Sequence, residues 1–469
     1  MNILKPASKW LTASAVMMGL AVGLAGCGSG GGNGSSNQPT VAFSIPVSGS
    51  SINLGQSVEL SWTSTNVASC TASTSSASAG AFSGIVASIG TQTVAPTAPG
   101  SVTYMLTCTG PSGSATASSP TVTVNPSILS TLSTITTIGS TLDPVEHGGN
   151  PYGLGIAPST AGLITAGDLV VCNFNDGATN TEGLGTTIIG LHPVAGAAPY
   201  RISQSAQLQG CNALSMFPDD SISASAFSAN LVPLVAPDGT VNNPFASTTF
   251  HGPWGQTFAP ANDDNSIPAA LYISNAATGS ITRITLAGDV PLSSTEIATG
   301  FCVSGAPGAV FAPAGLTYDP SIDTLYVIDT SSYSVVAFSN VSTLLTDAIV
   351  VNGNCSAVNH TPTPALTFSG PSASLATVIA SGGQLNAPIS AALLMDGNLV
   401  VANADIDGPT TTNLVFEISP AIGFVGAPVQ LDTGAAGALF GLATTTDSSG
   451  NQVIYFNDDN DNTVKALSK

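Results

Sequence analysis

The chain has 469 residues, with 6 Lys+Arg against 26 Asp+Glu and a net charge of −20. A chain this acidic cannot neutralise many phosphates, which excludes nucleic-acid binding and basic docking on an anionic membrane surface. Charged residues make up only 7%, but 43% are hydrophobic, so the composition excludes disorder, and the length predicts two or more domains.

The N-terminus carries Lys5 and Lys9, then an apolar run from Ala13 to Leu24 that closes on small residues. That is the layout of an export signal. Cys27 directly after Leu24-Ala25-Gly26 resembles the lipobox of bacterial lipoproteins. The resemblance implies that residues 1–26 are a signal peptide and that Cys27 is lipidated as the mature N-terminus. Losing Lys5 and Lys9 leaves 4 basic residues against 26 acidic ones, a net −22, so membrane attachment must come from the lipid. Residues 27–38 follow as a Gly/Ser/Asn tether. Gly28 stands where an aspartate would resemble the inner-membrane retention signal, which favours the outer membrane, on its periplasmic or cell-surface face.

Residues 39–126 alternate apolar and polar positions in SVELSW, TYMLTCTG and PTVTV, separated by Gly/Pro/Ser clusters. This predicts half-buried antiparallel strands. GQSVELSWTSTNVASC followed by TYMLTCTG and a last strand resembles a bacterial immunoglobulin-like domain. The resemblance implies a small β-sandwich with Trp62 in its core and a Cys70–Cys108 bridge.

Residues 130–469 repeat one pattern: a Gly- or Pro-marked approach, a short apolar strand, a turn, a second strand ending in Asp or Asn, and a third strand. Copies open near Tyr152, Asn212, Trp254, Gly315, Pro388 and Phe440, spaced by roughly 40 to 75 residues. The copy around Asn212 is the weakest. Six copies predict a six-bladed β-propeller, with a parallel β-helix as the competing repeat architecture. The last copy has only three strands, so residues 131–139 are expected to supply its outer strand and close the ring. LYVIDTSSYSVV and IYFNDDNDNTV resemble NHL-repeat propellers, and NPYGLGIAP with GDLVVCNFND and GPWGQTFAP is similar to exported bacterial NHL-like proteins. The resemblance implies a fold and no activity.

Six cysteines remain after Cys27, and six allow fifteen pairings. Beyond Cys70–Cys108, the expected pairs are Cys172–Cys211 and Cys302–Cys355. Cys172 ends a second strand and Cys211 opens the next inner strand. Cys302 and Cys355 follow outer-strand runs of adjacent copies.

In propellers, the approach loops and the turns between second and third strands share one face. Here that face collects His147, Asn150, Tyr152, His251 and Trp254. It also collects Asn173, Asp176, Glu182, Asn275, Asp329, Asn403, Asp405, Asp407, Asp458, Asp459 and Asp461. The ligand-binding candidates are His147, Tyr152, His251, Trp254, Asp329, Asp405 and Asp458. Each Asp or Asn also suits a turn that bonds its own backbone, and Tyr152 and Trp254 also suit packing beneath the loops. His147 and His251 are in phase, but two ligands fall short of a transition-metal set. The hard oxygens of Asp458, Asp459 and Asp461 suit calcium, although the run lacks the EF-hand glycine and glutamate. No other cofactor is required.

No GxSxG, HExxH or P-loop is present, so no catalytic residue is assigned. The expected function is a membrane-anchored extracytoplasmic binding or scaffolding lipoprotein, with a protein, glycan or cationic ligand on the propeller face. The alternative is a propeller lyase or hydrolase that acts on carbohydrate or peptide with a channel-bound cation.

Overall fold

The computed structural model describes residues 37–245, 248–264, 266–288, 290–303, 311–353, 366–404 and 412–469. Cys27, the signal and lipidation assignments, Asp405, Asp407 and Cys355 lie outside the described residues. Within them the chain is nearly all β, with short 3-10 turns and no α-helix.

Residues 40–125 form three sheets. One orders Thr40–Ser44, Val58–Thr65 and Gly90–Val94; a second orders Ser51–Asn53, Val122–Asn125 and Gly100–Val102; the third orders Gly84–Val86, Ser69–Thr74, Tyr104–Gly110 and Gly113–Ser118. Val58–Thr65 alternates buried and exposed positions, which turns Val58, Leu60 and Trp62 inward. Trp62 packs edge-on against Phe82 with ring centroids 5.5 Å apart, and its indole Nε1–H donates to Ala87 O at 2.8 Å. Cys70 and Cys108 face each other across neighbouring strands and are joined, with Cα atoms 4.0 Å apart.

Residues 134–468 form six sheets in chain order. Their inner strands are Gly149–Ile156, Cys211–Met216, Pro253–Ala259, Pro313–Asp319, Pro388–Leu393 and Leu442–Thr446. Each inner strand contacts the next, and the sixth contacts the first, so the sheets stand in a closed ring as in a β-propeller. Four inner strands share one pairing at or near their start. Pro151, Pro253, Pro313 and Pro388 stand opposite Asn173, Asn275, Asp329 and Asn403, at or near the ends of the second strands. Proline is tolerated there because the inner strand is a sheet edge. Glycine follows two residues after three of these prolines, because neighbouring inner strands approach closely. A Cβ on Gly255 would lie 2.0 Å from Ala314 O.

Thr134–Ser140 pairs antiparallel with Thr463–Ser468 and becomes the outer strand of the sixth sheet, joining the two ends of the ring. The chain after Ser334–Ser339 does not go straight to the outer strand of the fourth sheet. It first adds Ile349–Asn352, parallel, and Thr367–Ser369 to the outer edge of the third sheet, then returns as Ala376–Ser381.

Cys172 on the second strand of the first sheet is joined to Cys211 on the inner strand of the second, with Cα atoms 5.3 Å apart. Cys302 is also disulfide-bonded.

The N-terminal sheets dock on the end of the fifth sheet opposite its approach loop. Asn53 Nδ2 donates to Asp396 Oδ2 at 3.2 Å, Asn398 Nδ2 to Leu54 O at 3.3 Å, and Ser419 Oγ to Gly55 O. Gly55 holds φ +100, and a Cβ there would lie 2.8 Å from Asn398 Nδ2. The connecting segment is tucked in as well. Ile128, Leu129 and Leu132 join the core of the ring, and buried Glu417 accepts from Leu129 N and Asn398 Nδ2, both at 2.7 Å.

Candidate functional site

The approach loops and the second-to-third-strand turns gather at one end of the ring. His147 (φ 59) and His251 are both exposed there. His251 N donates to Asn275 Oδ1 at 3.1 Å, so the asparagine ending the second strand fixes the approach loop. Asn173 and Asn403 make comparable ties, to Thr141 O at 2.9 Å and Gln384 O at 3.0 Å. Asp329 is buried and accepts from Ser331 N and Oγ and from Ser332 Oγ, closing its own turn. Burial nevertheless raises its carboxyl above the usual range. Asp176 closes a second turn by accepting from Thr179 and Thr181, which hold its carboxyl low.

Tyr152 and Trp254 are 3% and 4% exposed. Tyr152 is sandwiched between Phe440 and Phe174, with ring centroids 3.7 and 4.3 Å away, and Trp254 meets Tyr152, Phe174 and Phe227 edge-on. Both rings are therefore part of an aromatic plug beneath the mouth.

The acidic side chains concentrate where the sixth sheet meets the first. Asp458 is fully buried, and Lys465 Nζ lies 2.5 Å from its Oδ2 and 2.8 Å from Asp461 Oδ2. Lys465 thus already supplies the positive charge facing two of the three oxygen donors suggested for calcium. Among the described residues, no group of three or more His, Cys, Asp or Glu side chains could hold a metal ion. Among the described residues Asp459 has no such partner. Burial, then the charges of Asp458, Glu182, Asp432 and Asp461, push its carboxyl up to about 7. Burial and the charges of Glu182 and Asp459 also raise the Tyr152 phenol well above its usual value.

Between the inner strands lies a cavity of about 80 Å³, lined by residues of all six of them. Its walls include Tyr152, Trp254 and Phe440 and the polar residues Asn212, Gln256 and Ser390.

One constellation escaped the sequence reading. His192 Nδ1 lies 2.6 Å from buried Asp168 Oδ1, and Tyr200 OH donates to Asp168 Oδ2 at 2.7 Å. These residues lie at the opposite end of the first sheet. The only available signal was the placement of Asp168 and His192 at paired strand ends, Leu169 facing Leu191.

No family model and no curated protein matches the chain. Among solved structures it is similar to virginiamycin B lyase from Staphylococcus aureus, at 12% identity and TM-score 0.43 over 72% of this chain and 99% of that one. It is also similar to regucalcin from Agrobacterium tumefaciens, a calcium-binding protein, at 14% identity and TM-score 0.43 over 71% and 93%. A gluconolactonase from Xanthomonas campestris matches at 13% identity and TM-score 0.41 over 72% and 98%. These neighbours are β-propeller proteins.

Proposed function

We propose that this chain is an exported lipoprotein, held at the outer membrane by Cys27, that binds a cationic ligand at the mouth of a six-bladed propeller. Its N-terminal sheets serve as an immunoglobulin-like support. The observation that carries this reading is the crowding of carboxylates around Asp459, which brings that group to about 7. Asp458 and Asp461 share Lys465, but with Glu182, Asp432 and Asp459 the carboxylates outnumber that one lysine, and like charges in excess on a rim focus a negative field on the opening. A cation seated there relieves the repulsion and displaces the Asp459 proton.

The test is calorimetry with putrescine near neutral pH, repeated in two buffers of different ionisation enthalpy. Binding should release protons from the wild type, and Asp459→Asn with Glu182→Gln should abolish both binding and release. Absence of binding to the wild type would sink the reading.

The enzymatic alternative, a lyase or hydrolase, is favoured by the same group. A carboxyl pushed up towards neutrality by burial and by neighbouring carboxylates is the kind of group acid–base catalysis uses. Turnover of a carbohydrate or peptide that stops with Asp459→Asn would decide for it.

A further inference from the structure

The joint between the N-terminal sheets and the ring closes on one side chain. Glu417 stands on Asn413–Ser419, the third strand of the fifth sheet, and is 1% exposed. Its Oε2 accepts from Leu129 N and its Oε1 from Asn398 Nδ2. Leu129 belongs to the connecting segment, and Asn398 Nδ2 also reaches Leu54 O of the N-terminal sheets. The two oxygens of one carboxyl therefore meet both attachments. The apolar share of the docking is small: among the described residues, Val425 is the one buried side chain of the ring in the core of the N-terminal sheets, with half-buried Ile422 beside it. Hydrogen bonds carry the rest of the grip, so a charge placed among them can tip it.

No cation balances Glu417. Among the described residues, no Lys, Arg or His forms an ion pair with it. The charged group that bears on it is Asp396, whose carboxyl accepts from Asn53 Nδ2 and from Asn398 N. The N-terminal sheets bring Glu59 to the cleft that Asp396 lines, a further acid. Residues 127–133 and the strand Leu399–Asn403 carry no ionisable side chain. On the other flanking strand, Gly423–Asp432, the single ionisable residue is Asp432, which faces Asn413 at the far end. Burial is the leading cause that raises Glu417 from 4.5 to about 7, and burial raises Asp396 as well.

We propose that Glu417 is a proton-governed latch: protonated, it holds the connecting segment and the N-terminal sheets on the fifth sheet, and ionised, it loosens both. Lifting these elements admits water to the carboxyl and returns it to its ordinary value, so the docked joint binds the proton more tightly than the open one. Ionisation while docked leaves a charge buried beside Asp396 with hydrogen bonds but no counter-charge. The latch is therefore strongest below 4.5 and is lost as the pH rises through about 7, weakening about tenfold per pH unit in between. This device acts at the end of the ring remote from the mouth and does not depend on what binds there.

The test is hydrogen exchange on the full chain at pH 5, 6 and 7, with protection corrected for the intrinsic rate at each pH. The Leu129 amide donates to the carboxyl and reports each opening of the latch. Val327, on the second strand of the fourth sheet, reports unfolding of the ring. In the wild type, Leu129 should be less protected than Val327, and its protection should fall about tenfold or more from pH 5 to pH 7. Glu417→Gln should remove the fall. Asp396→Asn should make it shallower, and it keeps the comparison decisive where Glu417→Gln does not fold. Protection of Leu129 that is independent of pH in the wild type overturns the proposal, as does a fall of the same size in Glu417→Gln, or in Asp396→Asn where that variant stands in. Exchange of Leu129 only together with Val327 overturns it too, since the joint would then open only when the ring unfolds.

Discussion

Cys172 and Cys211 join the first and second sheets at the position where two other pairs of neighbouring sheets use a hydrogen bond. Ser274, one residue before Asn275 just as Cys172 precedes Asn173, donates to Ala314 O of the fourth sheet at 2.8 Å. Asn457, one residue before Asp458, donates to Tyr152 O and Gly153 O of the first sheet, each at 3.2 Å. One site on each of these second strands is thus used to fasten the neighbouring sheet. Cys172→Ser with Cys211→Ser should still fold and should lose about 3–4 kcal/mol in urea unfolding, from the loop released. A change below 1 kcal/mol, outside the roughly 2–5 kcal/mol usual for native disulfides, would show that the bridge is incidental.

Lys465 is 13% exposed on its side chain and neutralises buried Asp458. Lys465→Met should cost about 3–5 kcal/mol, because it leaves a buried carboxylate unpaired. Since the cation position is already filled, millimolar calcium or its removal by chelator should leave the wild-type melting temperature unchanged. A calcium-dependent rise would mean that the ion displaces Lys465.

Asp459 and Glu417 set the expected pH dependence. Burial is the leading cause at both, raising Asp459 from 3.8 and Glu417 from 4.5 to about 7. The folded chain therefore holds more protons than the unfolded chain between those values, so stability is greatest at the acid end of that window and falls as the pH rises towards 7. Asp459→Asn and Glu417→Gln should each flatten the fall in melting temperature between pH 5 and pH 8. A melting temperature that rises over this range in the wild type would contradict the assignment.

Removing Thr134–Ser140 should unfasten the ring, because Thr463–Ser468 would become an open sheet edge. Lower melting temperature with concentration-dependent association by light scattering is expected. A monomer of unchanged stability would show that closure does not depend on this strand.

The repeat was legible because local chemistry recurs. Prolines open edge strands, glycines follow where neighbouring inner strands approach, and an Asn or Asp ends each partner strand. Cys172 and Cys211 were legible for the same reason, since each falls at a fixed point of the pattern. The rest depends on distance in space. Lys465 carries no signal that it faces Asp458 rather than solvent. Tyr152 and Trp254 have the spacing of mouth residues, yet their rings fold under into the plug, and no periodicity separates those outcomes. The outer strands that Ile349–Asn352 and Thr367–Ser369 lend to the third sheet depend on a crossover that alternation does not encode. The contacts of Asn53 with Asp396 and of Glu417 with Leu129 join segments hundreds of residues apart.

The docking of the N-terminal sheets has a consequence for where the mouth points. Asn53 to Gln56 grip the fifth sheet at the turns remote from the mouth, whereas the chain enters these sheets at Thr40, which pairs with Thr65 at the far end of Val58–Thr65. Eight residues of strand separate the two ends, roughly 25 Å. Under the anchoring at Cys27 proposed above, this unit would act as a pedestal, lifting the opening clear of the lipid headgroups and turning it towards solutes arriving from the aqueous side.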